Sequence, residues 1–156
     1  MGFRKVFLLL IVFALLSACS AGRKARTAKI ESVIGAARSY LGTPYRYGGM
    51  TRGGMDCSGL LVVSFRSADM QIPRTSTEQA KYGKKVSINE IRPGDMVFFA
   101  AKKRRRKVSH AGLVTRVVGN NSVTFIHSST SLGVIETELY TDYYRSIFVM
   151  AVRPKY

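Results

Sequence analysis

The hydrophobic pattern of this 156-residue chain changes its period once, and that change sets the fold class. In residues 28–41 the apolar positions recur every three or four residues, which predicts a helix with one buried face. From residue 95 onwards, short β-rich runs recur at a period of two, which predicts strands. Helices followed by a meandering antiparallel sheet indicate an α+β domain, with N-terminal helices packed on a mostly antiparallel sheet of five to six strands.

A glycine-rich segment separates the first two predicted helices. Residues 42–56 contain five glycines and one proline, so we expect an irregular loop with positive φ angles or close backbone approach. A second helix is predicted to begin at Cys57, with Asp56 as its N-cap. The core is expected to lie between this helix and the sheet.

The remaining elements are short. Ser76-x-x-Gln79 has the form of a capping box, so a third helix is expected to start near Thr77. GNNS at 119–122 predicts a hairpin turn between the second and third strands. The strand-like runs are DMVFFA, HAGLVTRVV, SVTFIHS, GVIETEL and SIFVMAVR.

The N-terminus has the parts of a secretory signal. Arg4 and Lys5 precede the apolar run VFLLLIVFALL, which is too short to span a membrane. The Leu-Ser-Ala-Cys that ends at Cys19 resembles the lipobox of bacterial lipoproteins. We therefore predict a signal peptide at 1–18, a lipidated basic tether at 19–27 and one domain at 28–156. Ser20, directly after Cys19, resembles the signal that sorts lipoproteins to the outer membrane. The expected location is therefore the cell envelope, on the outer membrane facing the periplasm where the source has one.

The cysteine count limits the roles open to Cys57, and the net charge limits the classes of binding partner. The chain has two cysteines, and lipidation of Cys19 leaves Cys57 without a disulfide partner. Cys57 is then either a buried inert residue or a reactive thiol. Loss of Arg4 and Lys5 with the signal takes the net charge from +16 to +14. For an exported protein, the available polyanions are lipid head groups, envelope glycans and peptide carboxylates, not nucleic acid.

The position of Cys57 favours a nucleophile. The unpaired N–H groups at a helix start stabilise a thiolate, so we expect the thiol pKa to be lowered. The same groups are placed to bind an oxyanion. The two histidines, His110 and His127, are expected at the same end of one hairpin, where one serves as the base and the other fixes its tautomer. The alternative is that each histidine is a satisfied strand residue.

Six sequence blocks, in order, resemble the NlpC-type cysteine peptidases, papain-like enzymes that cut peptidoglycan stem peptides. They are LGTPYRYGG, DCSGL, PRTS, RPGDMVFF, SHAGLV and FIHSS. The resemblance covers nearly all of 28–155. It implies the papain-like NlpC-type fold and a site without metal or cofactor.

The resemblance also implies roles for individual residues. Cys57 is expected to be the nucleophile, His110 the general base and His127 the orienting third member. Tyr45 is expected to contribute to the oxyanion hole or binding site, with loop packing as the alternative. Asp56 and Ser58 flank the nucleophile and are expected to contact the amino end of the stem peptide. For Asp56 the alternatives are a role as the helix cap alone, or the cap and the contact together.

The reaction implied is hydrolysis of an amide bond through an acyl-enzyme. The bond is either the D-glutamyl–diamino acid bond or the D-alanyl–diamino acid crosslink between stems. One alternative is an amidase or acyltransferase acting on another envelope substrate. A second alternative is a catalytically silent wall-binding lipoprotein.

A basic run, KKRRRK, lies just upstream of His110. The simpler interpretation is a solvated loop. The other is a surface for anionic envelope polymers, such as peptidoglycan carboxylates or anionic lipid head groups. Its members are Lys102, Lys103, Arg104, Arg105, Arg106 and Lys107.

Overall fold

The computed structural model describes the backbone of residues 3–103, 105–119 and 121–156, and side chains over 21–103, 106–119 and 121–156. It confirms the α+β class. The elements in chain order are α1 (Phe3–Arg38), β1 (Met50–Thr51), β2 (Gly54–Met55), α2 (Cys57–Arg66), α3 (Ser76–Gln79), β3 (Lys84–Val86), a 3₁₀ turn (Ile88–Glu90), β4 (Met96–Lys102), β5 (Arg105–Val118), β6 (Ser122–Ser129), β7 (Gly133–Glu138), α4 (Asp142–Ile147) and β8 (Phe148–Arg153).

The main sheet has six strands in the order β3-β8-β4-β5-β6-β7, and each neighbouring pair is antiparallel. This agrees with the predicted five to six strands. The sixth is the edge strand β3, whose three residues include two exposed lysines, so it carries no strand pattern of its own. The GNNS hairpin is also confirmed by the pairing of Val118 with Ser122; Asn120 lies outside the described residues.

Helix α1 is longer at one end and shorter at the other than the predicted helix at 28–41. It continues without a break from Phe3, so the backbone of the predicted tether is helical, and it ends at Arg38. Residues 21–29 are exposed, and Val33 is the first fully buried residue among the side chains described from residue 21 onwards. The side chain of Cys19 lies outside the described residues. Within the described part of the chain, no helix is both long and apolar enough to cross a membrane.

Helix α2 begins at Cys57, as predicted. The Asp56 carboxylate caps it by accepting a hydrogen bond from the Gly59 N–H at 2.6 Å. The preceding loop lies directly against the helix, because a Cβ at Gly59 would collide with the Gly49 carbonyl oxygen. The predicted positive φ angles occur at Gly42, Gly48 and Gly54. Helix α2 is therefore enclosed between this loop and the sheet, with eight of its ten residues buried.

The predicted capping box of α3 is wrong by one residue. Thr75 is the N-cap, and its hydroxyl accepts from the Glu78 N–H at 3.4 Å. Gln79 does not reach back to the cap. Its side chain is fully buried, and its amide donates to the carbonyl oxygens of Ser58 and Pro73 at 3.0 and 2.9 Å.

The basic run KKRRRK was interpreted most simply as a solvated loop, and the structure corrects this: most of the run belongs to two paired strands. Strands β4 and β5 extend into it, and Lys102 pairs with Arg105 across a short connection. Arg104 lies outside the described residues, as does the side chain of Arg105. The run is thus the tip of a β-hairpin that continues from the strand carrying His110. We call residues 102–107 the basic hairpin tip.

The sheet is covered on both faces. The predicted core lies between the sheet, α1 and α2, with Leu60, Phe65, Phe98 and Leu113 among its fully buried residues. A second core, which the sequence analysis did not predict, covers the opposite face. It contains Val97, Phe99, Val114, Phe125 and Leu139, with Tyr144 of α4 packed against it.

Candidate active site

Cys57 lies at the N-terminus of α2, facing β5. Its side chain is 8% exposed and forms no disulfide. The backbone N–H of Ala111, the residue after His110, lies within hydrogen-bonding reach of the sulfur, as do the N–H groups of Ser58 and Cys57 itself. The thiol is therefore held where the helix start meets the strand that carries His110.

The predicted lowering of the thiol pKa is wrong for the unliganded protein. Burial raises the pKa of the Cys57 thiol above its ordinary value, and the negative charge of Asp56 raises it further. Hydrogen bonds from the three backbone N–H groups lower the pKa but do not cancel these effects. Sequence reasoning counted the favourable helix start but not the desolvation, so the resting site holds a protonated thiol.

The two histidines meet as predicted from the hairpin. His110 Nε2 lies 2.8 Å from His127 Nδ1, and the two rings are nearly perpendicular, at 88°. His127 on β6 is 2% exposed, and its ring stacks on Phe125 with centroids 4.9 Å apart. This fixed ring presents one nitrogen to His110.

Both imidazoles are neutral at physiological pH. Burial lowers the pKa of His110 to about 4. Burial, with a smaller contribution from charge on His110, lowers the pKa of His127 to about 3. The pair is thus a chain of two neutral rings, each with one N–H and one lone pair.

Two hydroxyl groups that the sequence analysis missed lie behind His127. Its Nε2 is 3.2 Å from Thr137 Oγ1 on β7 and 3.2 Å from the Tyr144 hydroxyl on α4. The sequence analysis predicted no helix between the GVIETEL and SIFVMAVR runs; in the structure, the Thr141 hydroxyl caps α4 by accepting from the Tyr144 N–H. No local pattern indicates that β7 and α4 meet at one histidine nitrogen.

Asp56 is the centre of a hydrogen-bond network on the helix side of the site. Its carboxylate accepts five hydrogen bonds: two from Arg74, at 2.9 and 2.7 Å, and one each from Gly48 N–H, Ser58 Oγ and Gly59 N–H. Burial alone would raise the pKa of Asp56, but the Arg74 and backbone hydrogen bonds lower it below its ordinary value. Asp56 is therefore an ionised residue fully engaged within the chain.

Arg74 is a residue whose role the sequence analysis missed. It belongs to the PRTS block, which was noted without assigning its arginine a partner. Besides binding Asp56, it donates to Ser58 Oγ at 2.8 Å. A buried carboxylate directly before Cys57 requires a cation, and that requirement was the available signal.

Tyr45 lies on the same side. It forms an isolated bridge with Met55, and burial raises its pKa, with further increases from the charges of Cys57 and Asp56. The phenol is therefore protonated and close to the thiol. The structure thus brings Tyr45, Asp56, Ser58 and Cys57 together around the start of α2.

A cleft of about 150 Å³ opens beside the two histidines. The β4–β5 hairpin, the turn after β6 and helix α4 line it, with His110, His127, Ser129 and Tyr144 on its surface. Among the side chains that the structure describes, no three His, Cys, Asp or Glu residues are grouped to bind a metal ion.

Comparison with known proteins agrees with this arrangement. The NlpC/P60 family model matches residues 42–153. The chain is 40% identical over 155 residues to "Probable endopeptidase NlpC" of Escherichia coli K12, covering 94% of this chain and 97% of that protein. It is 39% identical over 113 residues to "Murein DD-endopeptidase MepS/Murein LD-carboxypeptidase" of the same organism, covering 72% of this chain and 56% of that protein.

A solved structure gives the same result for the fold. The crystal structure of an NlpC/P60 family protein from Bacillus cereus matches with a TM-score of 0.70 at 29% identity. The match covers 80% of this chain and 39% of that chain. With the family model matching most of the sequence and a relative aligned over nearly its whole length, the chain belongs to the NlpC/P60 family.

Proposed function

We propose that this protein is a peptidoglycan peptidase that hydrolyses an amide bond in the stem peptides with Cys57 as its nucleophile. The observation that carries the proposal is the buried thiol at the start of α2, next to strand β5, whose His110 pairs with His127 of β6. Family membership and relatives named as endopeptidases support a cell-wall substrate and a location in the cell envelope.

The mechanism begins from a neutral pair, because the thiol is protonated and His110 is neutral at rest. The Cys57 proton moves to His110 as the sulfur attacks the amide carbonyl. His110 then protonates the leaving amine, so the C–N bond breaks and a thioester forms. Water attacks the thioester with His110 as base, releasing the carboxylate and restoring the thiol.

Several groups are proposed to hold the substrate. The backbone N–H groups at the start of α2, with the Tyr45 hydroxyl, are placed to stabilise the oxyanion of the tetrahedral intermediate. We also propose that Asp56 and Ser58 contact the amino end of the stem peptide. For Asp56 such a contact would be shared with five internal hydrogen bonds, so its main contribution is to hold the backbone around Cys57.

The bond that is cut is either the D-glutamyl–diamino acid bond, as the family resemblance implies, or the D-alanyl–diamino acid crosslink. The name of MepS supports the crosslink. Purified peptidoglycan digested with the protein and analysed by mass spectrometry distinguishes them. We expect fragments with new amino termini at the diamino acid, and the acyl side of each fragment identifies the bond.

Cys57→Ala is the control for this digestion. It removes only the sulfur, so we expect a folded protein that releases no fragments. Fragments identical to those of the wild type would contradict Cys57 as the nucleophile. Absence of products from the folded wild type would favour a silent wall-binding lipoprotein. Products cut or acylated outside the stem peptide would favour the amidase or acyltransferase alternative.

We further propose that Cys19 is lipidated after removal of residues 1–18 and anchors the protein in the cell envelope, on the outer membrane facing the periplasm where the source has one. The lipobox-like Leu16-Ser17-Ala18-Cys19 supports this proposal. Metabolic labelling with a palmitate analogue should label the wild type and not Cys19→Ala. Equal labelling of both proteins would contradict it.

A further inference from the structure

His127 has a partner at each ring nitrogen, and the two partners differ in kind. Nδ1 faces His110 Nε2 at 2.8 Å, whereas Nε2 faces the hydroxyls of Thr137 and Tyr144, each at 3.2 Å. The Thr137 hydroxyl also lies within hydrogen-bonding reach of the Tyr144 oxygen. The three groups form a closed cluster behind the histidine pair.

Two neutral imidazoles allow only two proton arrangements along this line. In the first, His127 Nε2–H donates to a hydroxyl oxygen, His110 Nε2–H donates to His127 Nδ1, and His110 Nδ1 keeps a free lone pair. In the second, a hydroxyl donates to His127 Nε2, His127 Nδ1–H donates to His110 Nε2, and His110 Nδ1 carries a proton. Only the first leaves His110 able to accept the thiol proton.

We propose that Thr137 and Tyr144 are positioning residues that hold the pair in the first arrangement by accepting the His127 Nε2–H. The inference rests on the proposed role of His110 as base. The protons can all be accommodated: Thr137 accepts from His127 and donates to the Tyr144 oxygen, and the Tyr144 proton points to the cleft that its side chain lines. Since two hydroxyls serve one N–H, loss of one leaves an acceptor in place.

Nitrogen NMR of the ¹⁵N-histidine-labelled full chain tests this directly, because the chain contains only two histidines. Long-range ¹H–¹⁵N spectra show which ring nitrogen carries the proton, and His110→Gln assigns the signals. At pH 7 we expect Nε2–H on both rings in the wild type. In Thr137→Val/Tyr144→Phe we expect His127 to shift to Nδ1–H and kcat to fall about 10-fold to 100-fold with little change in KM.

Three variants serve as controls. Thr137→Ser/Tyr144→Phe keeps one hydroxyl and should keep the wild-type spectrum and most of kcat. Tyr140→Phe removes a phenol whose hydroxyl donates to the Ile88 carbonyl oxygen and not to His127, and it should change neither. An Nδ1–H signal for His127 in the wild type, or an unchanged spectrum in the double valine–phenylalanine variant, would overturn the proposal. The spectra do not depend on substrate, so a wild type inactive on peptidoglycan would count against the proposed function only.

Discussion

The two sides of the candidate site differ in their electrostatics: one contains an ion pair and the other contains two neutral imidazoles. The helix side, Asp56 to Ser58 with Arg74, is built around an ion pair in which the Asp56 oxygens lie 2.6–3.1 Å from five donors. The sheet side, His110 and His127 with their two hydroxyls, is neutral. Charge thus holds the backbone that carries the proposed nucleophile, while the neutral rings are the groups proposed to move its proton.

This separation has a consequence for Cys57. The fixed negative charge of Asp56 opposes ionisation of the neighbouring thiol, and burial opposes it further. A neutral His110 also offers no cation to stabilise a thiolate before substrate arrives. In the proposed mechanism, proton transfer must therefore accompany attack by Cys57. Apart from Cys57 itself, we expect substitutions on the sheet side to reduce turnover more and substitutions on the helix side to reduce stability more.

After loss of Cys57 itself, removing the proposed base gives the largest expected effect, and it acts on turnover alone. His110→Gln should reduce kcat for peptidoglycan fragments by about 10²-fold to 10⁴-fold, because positioned proton transfer is lost. The free energy of unfolding should change little, since the half-buried ring forms no ion pair. Turnover rates and urea unfolding curves measure the two quantities. A kcat within about threefold of the wild type would mean that another group takes the thiol proton.

Asp56→Asn should give the next largest effect, on stability. Asparagine still caps α2, but it leaves Arg74 without its counter-ion. We expect a loss of about 2–3 kcal/mol in the free energy of unfolding, less than for a fully buried pair because Arg74 is partly exposed. Turnover by the remaining folded protein should also fall, because Ser58 and the loop before Cys57 lose their shared partner.

A second ion pair supplies the matched control. Asp95 accepts two hydrogen bonds from Arg153, at 2.8 and 2.7 Å, and one from the Arg92 N–H, away from the site. Asp95→Asn should destabilise the protein by about 3 kcal/mol, since both partners are more buried. Its folded fraction should keep wild-type turnover. Equal loss of turnover in both variants would contradict a specific role for Asp56 at Cys57.

Local sequence patterns were sufficient for much of the fold. The start of α2 and its Asp56 cap, the GNNS hairpin and the meeting of His110 with His127 each follow from short segments or from one hairpin. The second core was not predictable in this way, because it depends on where α4 returns over the sheet. The cap of α3 was misplaced because Thr75 and Ser76 are both good N-caps and sequence alone does not choose between them.

The rest of the site required tertiary structure. Arg74 reaches Asp56 from another segment, and Thr137 and Tyr144 reach His127 from two different elements. The direction of the Cys57 pKa depends on how deeply the thiol is buried, which no motif states. The sequence thus predicted which residues come together more reliably than it predicted the direction of their pKa shifts.

The pH dependence of stability should separate the two sides. The unfolded chain protonates histidine near pH ~6.5, whereas folded His110 resists protonation to about 4 and His127 to about 3. Between these values the unfolded state binds more protons, so stability falls as the pH falls, by up to about 1.4 kcal/mol per unit for each histidine. Urea unfolding from pH 7 to 4 measures this slope, and His127→Gln should reduce it.

The helix side should act only at lower pH. The pKa of Asp56 is lowered in the folded protein, so its stabilising charge is complete above the unfolded value of ~3.9 and is lost as the pH falls through the folded value. Asp56→Asn should therefore leave the slope between pH 6.5 and 4 unchanged, within about 0.3 kcal/mol per unit. A flattened slope in that window would show that the two sides are not electrostatically separate.

The smallest expected effect concerns the basic hairpin tip, which places positive charge on the sheet side of the site. Its lysines, Lys102, Lys103 and Lys107, are exposed, and Lys107 lies three residues from His110 on the same strand, about 10 Å at the usual rise. We propose that the tip attracts anionic envelope polymers, the stem-peptide carboxylates above all. Replacing the three lysines with glutamine should raise KM about threefold to tenfold at low ionic strength, without changing kcat, because the attraction acts on encounter.

Three lysines at the other end of the sheet give a control of equal charge. Lys84, Lys85 and Lys155 are also exposed, but Lys84 pairs with Arg153 at the end of β8 that lies opposite the start of β4, away from the hairpin tip. If the position of the lysines determines KM and the net charge of the protein does not, replacing these three lysines with glutamine should leave KM unchanged. Both comparisons should be repeated near 1 M salt, where the Debye screening length falls to about 3 Å and the effect of the hairpin lysines should disappear. An equal rise in KM for both triple variants would assign the effect to the total charge of the protein, and a rise that persists in salt would assign it to the shape of the hairpin tip.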